Sequence, residues 1–160
     1  MTDERALPPS VPEIGEGKRG ESGYLGYLMR QAVAANRKAT ERALEDLGVT
    51  QPQFLAMTLI HAYPGSTGAD LARAAMLTPQ TMSLIVANLE KAGRLRRLSD
   101  PANARKQRLE LTDLGLELLR ESRERVRNLD QQLSAGLSPA EEHFLRRWLV
   151  EVARRDTKSA

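Results

Sequence analysis

Three helix starts crowd into residues 50–93, and the breakers between them leave little connecting chain, so these helices must pack on one another. Thr50-Gln51-Pro52-Gln53 reads as a capping box with proline tolerated in the first turn. Phe54, Leu55, Met57, Leu59 and Ile60 continue that helix to Tyr63, and Pro64-Gly65 ends it. Thr67 caps a short helix through Asp70, Leu71, Ala72 and Ala75, whose alanines permit close helix-helix approach. After a turn at Met76-Leu77, Thr78 stands as N-cap with Pro79 at the first helical position, and Met82, Ile85, Val86 and Leu89 form an inward stripe running to Gly93. The opposite face carries Gln80, Thr81, Ser83, Ala87, Asn88 and Lys91, mostly short polar groups in place of the Glu-Lys pairs of a merely solvated helix.

Long helices flank this compact segment. A helical apolar period runs from Tyr24 to Leu47 and stops at Gly48. Thr112 caps a second long helix with a stripe of Leu114, Leu118, Ser122, Val126, Leu129 and Leu133, closed by Gly136. Ser138-Pro139-Ala140-Glu141 is a further capping box, opening a last helix with Phe144, Leu145, Trp148, Leu149 and Val152 on one side. Residues 95–98 and 108–112 are short runs that can pair as a hairpin, which leaves residues 99–107 as a nine-residue loop. Residues 1–22 mix proline, glycine and both charge signs without periodicity and read as a disordered tail. The expectation is one mainly α domain over residues 23–160 with a small β-wing: a winged helix-turn-helix at 50–112 between long helices at 23–49 and 113–155.

Composition narrows the chemistry. The sequence has no cysteine, which excludes disulfides, thiolate metal sites and thiol catalysis. His61 and His143 have no carboxylate or second histidine at ligand spacing, so no metal or cofactor site is expected, and no nucleophile, base and orienting group form a catalytic set. No apolar stretch is long enough to span a membrane and the N-terminus lacks signal-peptide organisation, so the expected location is cytoplasmic. The net charge is only +3, yet residues 78–108 hold seven basic residues against two acidic ones, leaving the rest of the chain slightly acidic. A basic surface on one stretch suits a phosphate backbone.

These features converge on double-stranded DNA. A major groove about 12 Å wide admits one helix, and Gln80, Thr81, Ser83 and Asn88 can exchange hydrogen bonds with base edges there. Thr78 and Pro79 leave the amino end of the helix open to a phosphate. Arg94, Arg96 and Arg97 follow the helix and can hold flanking phosphates, while Arg105 with Lys106 can reach a neighbouring minor groove. An interaction module that kept the fold without binding DNA is the competing possibility, and the retained arginines argue against it.

The segment from Gln51 to Gly115, with Asp100-Pro101, Arg105 and Leu111-Thr112 at their spacing, resembles the MarR family of bacterial transcriptional regulators, and the likeness extends from Tyr24 to Arg154. Many members of that family carry an aspartate where this chain has Asn103, which can accept a hydrogen bond from Arg105 only through a neutral carbonyl. The resemblance implies a homodimer whose first and last two helices interleave, a palindromic operator, repression, and release by a small aromatic or phenolic effector. Tyr27, Met57, His61 and Tyr63 are candidates for the cleft that would hold such a ligand, although apolar residues at helical spacing also serve as core.

Overall fold

A computed structural model describes residues 11–100 and 103–156, with the side chains of Asp100, of residues 103–107 and of Asp156 outside that description. The chain divides into two compact units, residues 1–42 and 43–160. In the first, a single 3-10 turn at Gly17–Arg19 precedes helix α1 (Leu25–Leu44). Arg19 joins the two: its Nε donates to Gln31 Oε1 at 3.3 Å, its Nη1 donates to Pro12 O at 2.8 Å, and Gln31 Nε2 donates back to Arg19 O at 3.3 Å. Residues 11–22 thus carry local order that their aperiodic composition does not announce.

The second unit contains α2 (Gln51–Ala62), α3 (Gly68–Ala74), α4 (Pro79–Lys91), a hairpin of β1 (Leu95–Asp100) and β2 (Asn103–Leu111), then α5 (Asp113–Leu133) and α6 (Pro139–Asp156). The helix starts are where the caps place them. Thr50 with Gln53, Thr67 with Asp70, and Ser138 with Glu141 form reciprocal capping boxes, while Thr78 and Thr112 cap through their hydroxyls alone. Each cap satisfies amide groups that the helix itself leaves without partners. Ser138's hydroxyl and backbone N–H both donate to Glu141, in that order of effect, and hold its carboxyl below the usual carboxylate range.

Helices α2, α3 and α4, the root of the hairpin and α5 share one core. Leu44, Met57, Leu71, Met82, Leu89 and Leu119 are almost wholly removed from solvent, and Leu95, Leu109 and Leu111 fix the base of the hairpin to it. The turn between α3 and α4 places Met76 at φ 55°, the left-handed region that a non-glycine residue seldom adopts. Gly93, at φ 67°, ends α4 in the conformation glycine takes most readily.

Two expectations need correction. Residues 99–107 are not a nine-residue loop: both strands extend into them and only residues 101–102 separate the strands. The register pairs Ser99 with Gln107 and then Asp100 with Asn103, so residues 104–106 are interposed on β2 as a bulge-like irregularity. A polar strand without one buried face carries no period-two signal, which is why hydropathy ends the strands early. The inward line of α5 follows the expected one in its middle, where Ser122 is buried and Leu118 and Val126 pack against the core, but departs from it at the ends. Gly115, Leu119 and Ser122 are buried, whereas Leu114 and Leu133 are largely exposed.

A junction ties the start of α5 to the end of α4. Thr112 Oγ1 donates to Gly93 O at 2.7 Å while accepting from Gly115 N, Thr112 N donates to Arg94 O at 3.2 Å, and Arg94 N donates to Leu89 O at 2.9 Å. Nearby in the fold, Arg125 Nη1 donates to Asp46 Oδ1 at 2.6 Å and holds α5 to the turn after α1.

Ser122 Oγ and Thr58 Oγ1 are buried without a hydrogen-bond partner among the described residues. An unpartnered buried hydroxyl costs free energy that its methyl-sized replacement does not. Ser122→Ala is therefore expected to leave stability unchanged or raise it by about 1 kcal/mol, read as the urea unfolding midpoint. A clear loss would mean that the hydroxyl is satisfied in solution.

Candidate nucleic-acid interface

Helix α4 forms because Thr78 and Pro79 start it cleanly and because Met82, Ile85, Val86 and Leu89 bury one side. The other side is in solvent. The side chains of Gln80, Ser83 and Asn88 are exposed and, among the described residues, have no hydrogen-bond partner, so their donors and acceptors are available. Thr81 is different: its backbone N–H and its hydroxyl both meet Thr78 Oγ1, at 3.1 and 2.8 Å, which commits part of its hydrogen-bonding capacity to the cap.

The arginines after α4 are also engaged. Arg96 reaches Glu110 across the hairpin with Nε and Nη2 both 3.0 Å from Oε2, as the pairing of these two residues in the register dictates. Arg97 Nε donates to Glu90 Oε2 at 3.0 Å, joining the wing to the last turn of α4. Arg94 Nη1 donates to Gly48 O at 3.4 Å. All these groups are partly exposed, so the pairs are weak and the cations are partly neutralised without being withdrawn from the surface. Glu90 and Glu110 are the site residues that sequence reasoning missed. The register would have indicated Glu110, but the expected strands were too short to carry pairing arguments. Asn103, Arg105 and Lys106 lie on β2 at its irregular end, with side chains outside the described residues.

The ligand-cleft candidates differ in burial and in the unit that holds them. Met57 is fully buried in the core, Tyr63 is exposed, and Tyr27 belongs to the first unit. His61 alone among them lines a cleft of about 380 Å³, with Leu116, Leu119, Arg120, Arg123 and Arg127 of α5. Met57 lies on the inner side of α2, where the core takes any flexible apolar side chain. Arg120 Nη2 sits 2.5 Å from Glu117 Oε1. That hydrogen bond, reinforced by the guanidinium charge, holds the carboxyl below its usual range. Among the described residues, Arg123 and Arg127 form no ion pair, so the cleft is net positive. No group of histidine, aspartate or glutamate among the described residues could hold a metal, and no helix is long and apolar enough to cross a membrane.

A three-helix unit with an exposed polar third helix, followed by a basic two-stranded wing, defines a winged helix-turn-helix DNA-binding transcriptional regulator. Residues 49–106 match the sequence profile of the MarR family. The chain is 33% identical over 128 residues to the HTH-type transcriptional repressor Rv2887 of Mycobacterium tuberculosis, covering 80% of this chain and 92% of that one. Two crystal structures described as the M. tuberculosis MarR family protein Rv2887 share its fold. The complex with DNA has a TM-score of 0.64 at 31% identity, over 81% of this chain and 98% of that one. The complex with salicylic acid has a TM-score of 0.67 at 31% identity, over 82% and 98%. This chain belongs to the MarR family.

Proposed function

We propose that the protein is a homodimeric repressor that binds a palindromic operator and releases it when a small anionic aromatic ligand binds. The observation that carries the DNA-reading part is the outward face of α4, where unpartnered Gln80, Ser83 and Asn88 stand beside a basic wing. In this reading Gln80, Ser83 and Asn88 contact base edges, Thr81 contributes less because of its cap, and Thr78-Pro79 presents a helix amino end to a phosphate. Arg94, Arg96, Arg97, Arg105 and Lys106 supply phosphate and groove contacts, with Asn103 beside Arg105 on β2.

Dimerisation is supported by apolar surface that one chain leaves uncovered. Phe144, Leu149 and Val150 of α6 and Leu133 and Leu137 near the end of α5 are exposed in the single chain. A two-fold pair of such subunits would place two copies of α4 about one DNA turn apart, which requires a palindromic site. The arginine-lined cleft at His61 supports an anionic effector, since an unpaired guanidinium favours a carboxylate and Leu116 and Leu119 offer apolar contact. The salicylic acid complex of the Rv2887 protein agrees with that chemistry.

The test is binding of duplex DNA at several salt concentrations, with sedimentation of the free protein. A dimer making six to ten phosphate contacts is expected to lose roughly 10³-fold or more in affinity between about 50 and 200 mM salt. A monomer, or affinity that is weak and indifferent to salt, would overturn the reading. Salicylate added at fixed salt is expected to release the DNA.

A further inference from the structure

The outward face of α4 is not uniformly polar. Leu84 is 63% exposed in the middle of the helix, one turn after Gln80 and one turn before Asn88, and exposed Ala87 stands next to it. Helical spacing sets Gln80, Leu84, Ala87 and Lys91 in one line on the side opposite Met82, Ile85, Val86 and Leu89. A single exposed leucine on a protein surface ordinarily needs no explanation. This one is set apart by its place. If Gln80 and Asn88 reach base edges, as the proposed function has it, Leu84 lies between them and must meet the groove floor as well.

The side chain of leucine neither donates nor accepts a hydrogen bond. Pressed against guanine N7 and O6, cytosine N4 or adenine N6, it would strip water from a polar edge and return nothing. The major groove has one apolar feature, the C5-methyl group of thymine. We infer that Leu84, with Ala87 beside it, is a specificity-determining residue that selects thymine through its C5-methyl group, at a position in each half-site between the bases met by Gln80 and Asn88. The inference rests on the DNA-reading function of α4. It adds an apolar requirement that the polar residues of that face cannot supply.

The experiment begins with an operator selected from random duplexes by the full-length protein. Each thymine of the half-site is then replaced in turn, symmetrically, by deoxyuridine, which removes the methyl group and leaves every hydrogen-bonding atom in place. At one position the wild-type protein is expected to lose affinity by about fourfold per half-site, the value of one buried methyl group. For Leu84→Ala the deoxyuridine penalty at that position falls towards none, while the salt dependence of binding stays as in wild type because no charge has changed. Leu84 is exposed, so this substitution leaves the core intact. A wild-type protein indifferent to every deoxyuridine, or a penalty that persists undiminished in Leu84→Ala, would overturn the inference while leaving the DNA-binding function standing. Failure of the wild-type protein to bind any duplex would overturn that function itself, and this inference with it.

Discussion

Gly115→Ala is expected to destabilise the protein by at least about 2 kcal/mol, although alanine for glycine inside a helix ordinarily stabilises by about 0.5–1 kcal/mol. A Cβ at residue 115 would lie 2.0 Å from the carbonyl oxygen of Arg94 and 3.0 Å from its carbonyl carbon. Those atoms are backbone and cannot rotate away. The same oxygen accepts from Thr112 N, and the amide of Arg94 is bound to Leu89 O, so a shift large enough to admit the methyl strains both bonds. Gly26 in α1 is the matched control, since a Cβ there meets nothing within 4 Å. Urea unfolding of both variants is expected to move the midpoint in opposite directions, down for Gly115→Ala and up for Gly26→Ala. Equal midpoints for Gly115→Ala and wild type would show that α5 and the residue after Gly93 do not approach so closely.

Arg105→Ala is expected to weaken operator binding on the order of 100-fold, with the unfolding midpoint unchanged. The estimate takes one contact from each subunit of the proposed dimer at about 1.4 kcal/mol apiece. Residues 104–106 are interposed on β2 at the irregular end of the hairpin, and the buried core residues of β2 are Leu109 and Leu111, so the fold is expected to tolerate the change. Arg105→Lys keeps the charge and is expected to recover only part of the affinity, because a lysine lacks the planar guanidinium that fits a narrow minor groove. Arg96→Ala and Arg97→Ala are expected to cost less, since Glu110 and Glu90 already offset those charges. Operator affinity measured by fluorescence anisotropy checks the order. If Arg105→Ala binds as wild type does, Arg105 plays no part in holding DNA.

How much of this was legible depended on the range of the interaction. Helix starts were readable at Thr50, Thr67, Thr78, Thr112 and Ser138 because a cap is settled within four residues. The inward stripe of α4 was readable because its four buried residues are all apolar. The first turn of α5 was not: the residue of closest approach is Gly115, which has no side chain for a hydropathy pattern to register, and the pattern began on Leu114 instead. The partners of Arg96 and Arg97 were hidden for a different reason. One depends on the register of a hairpin whose polar strands give no alternation, the other on how the wing folds back on α4. Leu84 was passed over since an apolar residue among polar ones invites assignment to neither face. Met57 shows the converse, an apolar residue whose spacing suits a cleft or the core alike and which is fully buried.

The hydroxyl of Thr112 touches two helices at once, accepting from Gly115 N in the first turn of α5 and donating to Gly93 O just past the end of α4. Leu116, the next residue along, is already a wall of the arginine-lined cleft. One helical turn therefore separates the cleft from the trailing end of the helix with the exposed polar face, and that turn is bridged by hydrogen bonds with no room for a methyl group. A joint built this way is expected to be stiff, so in the proposed function a ligand seated against Leu116 would act on α4 through α5 without touching it.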